Sequence, residues 1–184
     1  VNPGDRVVIR GENGSGKTSL LKAILGLLPI NSGSITLGGR EVLTRDWRPI
    51  RSRMAWVPQE GVLHRFPVTG REVVAVGLAG RRMSHREVQH RIEGALEATG
   101  ASHLADRCFH RLSGGERQRI SIARCLAQDA RILLLDEPAS ALDAESRARL
   151  VDLTENLNRP DRSLIVVTHD DGLFSPDKWR HLNL

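Results

Sequence analysis

The chain has 184 residues, of which 40% are hydrophobic and 27% charged, and its formal net charge is +5. This length suits a single domain with a complete hydrophobic core. No apolar run approaches the roughly 20 residues that span a bilayer, and no signal-peptide pattern opens the chain. The 2 cysteines have no metal-ligand spacing, and aromatic residues make up only 3%. The composition therefore favours a cytosolic globular protein, and no nucleic-acid partner is expected because stacking surfaces need aromatics.

The first third of the chain alternates predicted strands with one predicted helix. Residues 6–10 (RVVIR) have the β-branched pattern of a short buried strand. The chain opens on a turn directly before this strand, so we expect it to be truncated at its N-terminus. A helix is predicted over residues 17–27, ended by Pro29, with one apolar face. Residues 34–37 and 53–57 are predicted strands, and the glycines at 38–39 predict a hairpin-like turn. The apolar face of the predicted helix consists of Leu20, Leu21, Ile24, Leu27 and Leu28.

A helical insertion is predicted over residues 62–112. Thr69 with Glu72, and Ser84 with Glu87, each match a capping box, the pattern that opens a helix. The second helix carries its apolar residues on one face, which predicts packing against a neighbour. That face consists of Val88, Ile92, Ala95, Leu96 and Thr99.

The last third returns to strands and helices. A helix is predicted over residues 115–127, an apolar strand over 131–135, a helix from Asp143 to about residue 157, and a strand over 164–168. Buried strands without alternation, separated by helices, indicate a parallel sheet covered on both faces. The predicted fold class is therefore α/β, with a helical insertion.

A phosphate-binding loop lies between the first strand and the first helix. The pattern GxxxxGKT lets backbone N–H groups wrap phosphates, and the helix N-terminus adds partial positive charge. Lys17 then supplies a point charge for the β- and γ-phosphates, and Thr18 offers a hydroxyl to Mg²⁺. A glycine-rich turn without a ligand is the alternative, which the strand–helix context disfavours. The loop consists of Gly11, Glu12, Asn13, Gly14, Ser15, Gly16, Lys17 and Thr18.

Two further segments carry groups that suit nucleotide chemistry. Asp136 and Glu137 follow an apolar strand and so lie at the carboxyl edge of the predicted sheet, where α/β folds bind ligands. Asp136 suits Mg²⁺ through a water, and Glu137 suits a general base; the alternative is a pair of solvated acids. Ser113 with Glu116 matches a third capping box, and Ser113, Gly114 and Gly115 open this helix as a second phosphate cradle. One nucleotide needs only one cradle, so the second is either structural or serves a nucleotide held by another copy.

These motifs together resemble the ATP-binding cassette (ABC) family. Residues 112–116 match its signature motif, Gln59 its Q-loop, residues 140–143 its D-loop and His169 its switch histidine. The resemblance implies a P-loop NTPase core over residues 1–61 and 113–184, with residues 62–112 as the helical subdomain. The chain as given lacks the aromatic residue that stacks on adenine in the family, upstream of the loop. Residues 179–184 resemble the beginning of a further strand.

The resemblance also implies a head-to-tail dimer with two ATP molecules between the protomers. Gln59 would contact Mg²⁺ and the attacking water, and His169 would hold the γ-phosphate. Residues serving the chain's own nucleotide would be Lys17, Thr18, Gln59, Asp136, Glu137 and His169. Residues reaching the nucleotide of the partner would be Ser113, Gly114, Gly115 and Asp143.

Such a chain would drive a separate membrane permease from the inner face of the plasma membrane, with a substrate-binding protein as a further partner in importers. Residues 66–74, shortly after Gln59, resemble the corresponding part of bacterial manganese, zinc or iron importers. One alternative is a non-transport cassette of DNA repair, chromosomes or ribosomes, which the insertion disfavours because it carries no heptads or cysteine pairs. Another is a regulatory cassette without hydrolysis, which the filled catalytic positions disfavour.

Overall fold

The computed structural model describes residues 1–42, 47–59, 67–140, 142–157 and 159–184. Strands and helices alternate through most of the chain. In chain order they are β1 (Arg6–Arg10), α1 (Lys17–Ile24), β2 (Thr36–Leu37), β3 (Arg40–Glu41), α2 (Trp47–Arg51), β4 (Met54–Val57), α3 (Gly70–Val76), α4 (His85–Ala98), α5 (Gly114–Ala127), β5 (Ile132–Asp136), α6 (Ala144–Asn156), β6 (Ser163–Thr168) and β7 (Arg180–Asn183).

The main sheet has five parallel strands in the order β4-β5-β6-β1-β7. Its central strands β5 and β6 are buried almost throughout, as the continuous apolar sequences predict. Because all strands are parallel, their carboxyl ends meet at one edge. The register pairs Arg10 with Thr168 and Asp136 with Val167, so the chain segments leaving β1, β5 and β6 emerge side by side. The predicted α/β class and parallel sheet are confirmed.

Three apolar clusters fill the interior. One packs α5 and α6 against one face of the sheet. A second packs α1 against the alternate strand residues, which point to the opposite face. A third lies among α3, α4 and α5. Helix α5 contributes to two of them, with Ile122 and Cys125 in the first and Ile120 and Ala123 in the third. It therefore links the sheet to the helical insertion. In the part of the chain described, no helix combines the length and apolarity needed to cross a bilayer.

Helix α1 is shorter than predicted. It ends at Ile24 rather than at residue 27, because Gly26 takes a left-handed conformation with φ of 66°. The Leu27 N–H then donates to the Lys22 carbonyl, the hydrogen bond of a Schellman turn. Leu27 and Leu28 are consequently 44% and 37% exposed, so their assignment to the buried face was wrong.

The helices of the insertion follow the predicted caps. The Thr69 and Ser84 capping boxes are both formed, and α4 buries Ile92, Ala95, Leu96 and Thr99. Val88 is half-buried. The predicted start of the insertion, residues 62–66, lies outside the described residues, as does residue 141 of the D-loop match. Helix α2 was not predicted, and the glycines at 38–39 form the predicted turn between β2 and β3.

Candidate functional site

The loop between β1 and α1 closes around a buried lysine. Gly14 and Gly16 have φ of 88° and 97°, conformations that L side chains rarely adopt, and Gly16 delivers the chain into α1. Lys17 is only 6% exposed. Its Nζ donates to the carbonyls of Gly11 at 2.7 Å and Glu12 at 2.9 Å. The loop thus holds its single positive charge inside the turn, at the N-terminus of a helix.

Asp136 lies at the end of β5 and is joined to the loop through Thr18. The Thr18 hydroxyl donates to Asp136 Oδ1 at 3.1 Å. Burial raises the pKa of Asp136, and the charge of Glu137 raises this pKa further, while the Thr18 hydrogen bond lowers it. Among the described residues, Asp136 Oδ2 is buried and has no hydrogen-bond partner. A buried carboxylate with an unpartnered oxygen beside a hydroxyl fits a hard divalent cation such as Mg²⁺.

Glu137 is held between a lysine and a histidine from other parts of the chain. Its backbone is left-handed, with φ of 47°, and its N–H donates to the Val167 carbonyl at 2.9 Å. The side chain is 6% exposed; Oε1 lies 3.4 Å from Lys17 Nζ and Oε2 lies 2.9 Å from His169 Nδ1. A strained backbone that persists at a charged cluster is typical of functional sites. The structure thus brings together three of the predicted catalytic residues.

Gln59, the fourth predicted catalytic residue, emerges at the same edge of the sheet. It lies two residues beyond the end of β4 and is exposed. Because β4 pairs in parallel with β5, with Val57 opposite Leu135, the chain leaves β4 beside Asp136 and Glu137. The register therefore brings the segment that carries Gln59 to the edge of the sheet at which the two carboxylates lie.

Two residues at this edge were missed by sequence reasoning. Arg10 and Asp171 line, with the loop and His169, a cavity of about 700 Å³. Arg10 Nη2 donates to the Asp171 carbonyl at 2.6 Å, and its Nε lies 3.7 Å from Asp171 Oδ1. The signal was present in the sequence, because charged residues that directly follow or end parallel strands lie at the ligand-binding edge.

The signature residues lie around a different cavity. The Ser113 N–H donates to Glu116 Oε2 at 2.8 Å and the Ser113 hydroxyl accepts from the Glu116 N–H at 3.3 Å, so the predicted capping box of α5 is formed. This reciprocal bond lowers the pKa of Glu116. Ser113 and Gly115 line a cavity of about 330 Å³ together with Ser146 of α6.

Asp143 lies next to this second cavity as the N-cap of α6. Its carboxylate accepts from the Ser146 N–H at 2.8 Å, a bond that lowers the pKa of Asp143. A Cβ added to Gly115 would lie 3.1 Å from Ser146 Oγ, so the two helix starts approach closely. The structure therefore groups the predicted site residues into two sets. The first set surrounds the loop, and the second consists of Ser113, Gly114, Gly115 and Asp143.

Comparisons with known proteins identify the family of this chain. The family model described as ABC transporter matches residues 1–140. The zinc transport system ATP-binding protein TroB of Treponema pallidum is 39% identical over 168 residues, covering 88% of this chain and 61% of its own length. The curated relatives that this chain matches are longer than the chain, which spans between 45% and 64% of the length of several of them.

Solved structures give the same answer for the fold. The ATP-binding cassette MJ0796, solved as a dimer bound to ADP and phosphate, superposes with a TM-score of 0.83 at 29% identity over 100% of this chain and 82% of its own. The cbiO1 protein of Clostridium perfringens, part of an ABC transporter complex, gives 0.78 at 30% identity over 92% of this chain and 69% of its own. The chain belongs to the ABC transporter family of ATP-binding domains.

Proposed function

We propose that the chain binds and hydrolyses ATP with Mg²⁺, as one protomer of a head-to-tail dimer. The observation that carries this proposal is the cluster of Lys17, Glu137 and His169 beside a glycine-rich loop at the carboxyl edge of a parallel sheet. These side chains are distant in sequence but lie close together there, and they carry the charged groups that phosphate transfer needs. The chain's own nucleotide would lie in this first set of residues.

Lys17 would exchange its two carbonyl partners for phosphate oxygens. Its Nζ is held by neutral acceptors at 2.7 and 2.9 Å, and anionic oxygens make the stronger hydrogen bonds. Thr18 and Asp136 would hold Mg²⁺ together with Gln59, and the ion would neutralise charge on the phosphates. The raised pKa of Asp136 supports this assignment, because a bound cation would compensate the burial of its negative charge.

Glu137 would act as the general base toward the attacking water. A base must lie at a fixed position near the reacting atoms, and the left-handed turn at Glu137 points its carboxylate to Lys17 and His169. His169, whose Nδ1 lies 2.9 Å from this carboxylate, would hold the γ-phosphate. We interpret Ser113, Gly114, Gly115 and Asp143 as the face that closes over the nucleotide of a second copy. The division of the chain into a P-loop NTPase core, residues 1–61 and 113–184, and a helical subdomain, residues 62–112, is also part of this proposal.

The hydrolysis would drive transport through a separate membrane permease. The relatives named above belong to transport systems, which favours transport over DNA repair, chromosome or ribosome functions. The chain would then lie at the cytoplasmic face of the plasma membrane, bound to the permease. The zinc relative supports the metal-import interpretation, with a substrate-binding protein as a further partner. Co-purification of a polytopic protein supports transport, whereas ribosomes or DNA in that sample would favour the alternative.

The test of hydrolysis is Glu137→Gln, which keeps the size of the side chain and removes the basic carboxylate. We expect turnover to fall by about 10²–10⁴-fold, the range for loss of a general base. ATP binding should persist, and ATP should convert the variant to a stable dimer because the nucleotide is no longer removed. Turnover is measured by phosphate release, and dimerisation by light scattering.

The matched control is Glu155→Gln, which removes a half-buried carboxylate from α6. Glu155 forms an ion pair with Lys178 at 2.7 Å, away from the loop. This control should hydrolyse ATP at the wild-type rate. Turnover that is undiminished in Glu137→Gln would eliminate the general-base assignment, and a Glu137→Gln chain that stays monomeric with ATP would eliminate the dimer.

A further inference from the structure

The open side of strand β4 is covered by side chains of α5. In the described sheet β4 is the outermost strand, so only one side of its backbone pairs with β5. The Arg53 carbonyl points toward β5, where it accepts from the Arg131 N–H at 2.7 Å. Because backbone groups alternate along a strand, the carbonyls of Met54 and Trp56 point away from the sheet. Such unpaired edge groups need other partners.

Two side chains, one turn apart on the path of α5, supply those partners. Arg124 Nη2 donates to the Trp56 carbonyl at 2.6 Å. Gln128 Nε2 donates to the Met54 carbonyl at 2.8 Å and to the Ser52 carbonyl at 3.1 Å. The spacing fits, because four residues of helix rise about 6 Å and two residues of strand about 6.6 Å. Arg124 and Gln128 thus fasten the helix to the strand at matching intervals.

The same helix is held from its other side by the insertion. Gly77, at the end of α3, lies so close that an added Cβ would overlap the Arg124 carbonyl. Arg81 Nη2 donates to the Gln128 carbonyl at 2.5 Å and so satisfies an end group of α5. Helix α5 is therefore fixed between the insertion and the edge of the sheet at the level of Arg124 and Gln128.

Strand β4 and helix α5 each lead to one group of a different residue set, and both groups lie toward the same end of the pair. The chain leaving β4 leads to Gln59, and α5 begins after Ser113. Arg124 meets Trp56 while Gln128 meets Met54, so the helix runs antiparallel to the strand. The start of α5 therefore lies toward the end of β4 from which Gln59 emerges.

We propose that Arg124 and Gln128 are positioning residues that hold the strand leading to Gln59 in a fixed relation to the helix that presents Ser113. The inference rests on the proposed function, in which Gln59 serves the chain's own nucleotide and Ser113 that of the partner. Both side chains are half-buried and donate through N–H groups to carbonyls, which suits a role in holding α5 against β4. The two ATP sites of the dimer would then be coupled through this contact.

The first test uses Arg124→Lys and Gln128→Glu in the full chain. Lysine cannot reproduce the geometry of a guanidinium, and the glutamate places acceptor oxygens against carbonyls. We expect amide hydrogen exchange over residues 52–59 to rise about tenfold, with no change over residues 132–136. The control is Arg91→Lys, since Arg91 lies 3.9 Å from Asp129 on the surface and bonds no strand carbonyl in the described chain. Unchanged exchange in both variants would overturn the fastening.

The second test measures the kinetic consequence in the same variants. We expect kcat to fall about tenfold, while the Kd for ATP stays within about twofold because Lys17 and Thr18 lie on other elements. In a Gln59→Ala background, Arg124→Lys should change kcat by less than about twofold, because the residue acts through Gln59. A merely structural role would lower kcat by the same factor in both backgrounds and would overturn the inference.

The outcomes separate this inference from the proposed function. A wild-type chain that hydrolyses no ATP would refute the proposed function, while hydrogen exchange would still decide whether the fastening exists. A wild-type chain that hydrolyses ATP, with Arg124→Lys and Gln128→Glu equally active, would refute the positioning role alone.

Discussion

The two residue sets of the proposed ATPase differ in how their polar groups are partnered. In the loop set, Lys17 and Glu137 are each 6% exposed, and they contact each other and other parts of the chain. In the signature set, Ser113 and Asp143 are exposed, and their partners come from the first turn of their own helices. Both sets begin at helix N-termini, but only one forms its contacts across the fold.

This difference matches the different tasks proposed for the two sets. In the loop set, Lys17 and Glu137 are fixed by contacts with other parts of the chain, while Asp136 Oδ2 has no hydrogen-bond partner among the described residues. The signature set presents satisfied but accessible groups, as expected of a face that meets another surface. Loss of Lys17 should therefore weaken nucleotide binding in the single chain, whereas loss of the Ser113 hydroxyl should reduce turnover only in the assembled dimer.

The largest effect on ATP binding is expected for Lys17→Ala. The variant removes the charge that is placed to contact phosphates, and hydrogen bonds to charged groups each contribute about 1.5–3 kcal/mol. ATP affinity should fall on the order of a hundredfold, measured by fluorescence titration of the monomeric chain. Lys178→Ala, which removes an exposed ion pair with Glu155, is the control and should bind ATP normally. Unchanged affinity in Lys17→Ala would contradict the loop assignment.

A smaller effect, confined to the dimer, is expected for Ser113→Ala. Turnover should fall about tenfold, the effect of about 1.4 kcal/mol from one lost hydroxyl, while ATP affinity of the monomer stays unchanged. The variant also loses a helix cap, so it should unfold at a lower temperature.

Ser84→Ala separates these two consequences. Ser84 forms the same capping box on α4, with Glu87, at 2.7 and 3.3 Å. Both variants should lose about 1 kcal/mol of stability, which lowers the Tm by about 2–4 °C in a chain of this size. Only Ser113→Ala should lose turnover. Equal turnover in the two variants would make Ser113 a structural cap and nothing more.

The sequence could predict the loop, the carboxylates and the caps because each is encoded locally. A GxxxxGKT run between a strand and a helix, or two acids after an apolar strand, has few other structural explanations. The capping boxes at Thr69, Ser84 and Ser113 formed as predicted, since each needs only two residues three apart.

The tertiary contacts could not be predicted from the sequence. The Arg124 and Gln128 bonds to β4 join residues 68 to 76 positions apart and depend on how α5 lies across the sheet edge. The end of α1 was misjudged because the apolar pattern continues through Leu28, while Gly26 ends the helix by its backbone conformation. The contact of His169 with Glu137 was not foreseen either. The proposed role of His169 in holding the γ-phosphate stays a prediction.

A small effect, a gain of stability, is expected for Asp136→Asn without nucleotide. Burial raises the pKa of Asp136, so the folded chain keeps this proton to a higher pH than the unfolded chain, whose carboxyl has the ordinary value of 3.8. The folded state is therefore destabilised as pH rises through that interval. The amide carries no charge to bury, so we expect the Tm to rise by a few degrees at pH 7 and not below pH 3.8.

Asp143→Asn should respond to pH in the opposite sense. The hydrogen bond from Ser146 lowers the pKa of Asp143, so its carboxylate stabilises the fold above the ordinary carboxyl pKa and loses this effect as pH falls. Asparagine is also a good N-cap, so the Tm should fall only slightly at pH 7 and converge with wild type at low pH. Thermal unfolding of both variants across pH compares the two residue sets directly. An Asp136→Asn chain less stable than wild type at pH 7 would mean that Thr18 and the nearby lysines fully compensate the buried carboxylate. Its unpartnered oxygen would then no longer argue for a bound cation.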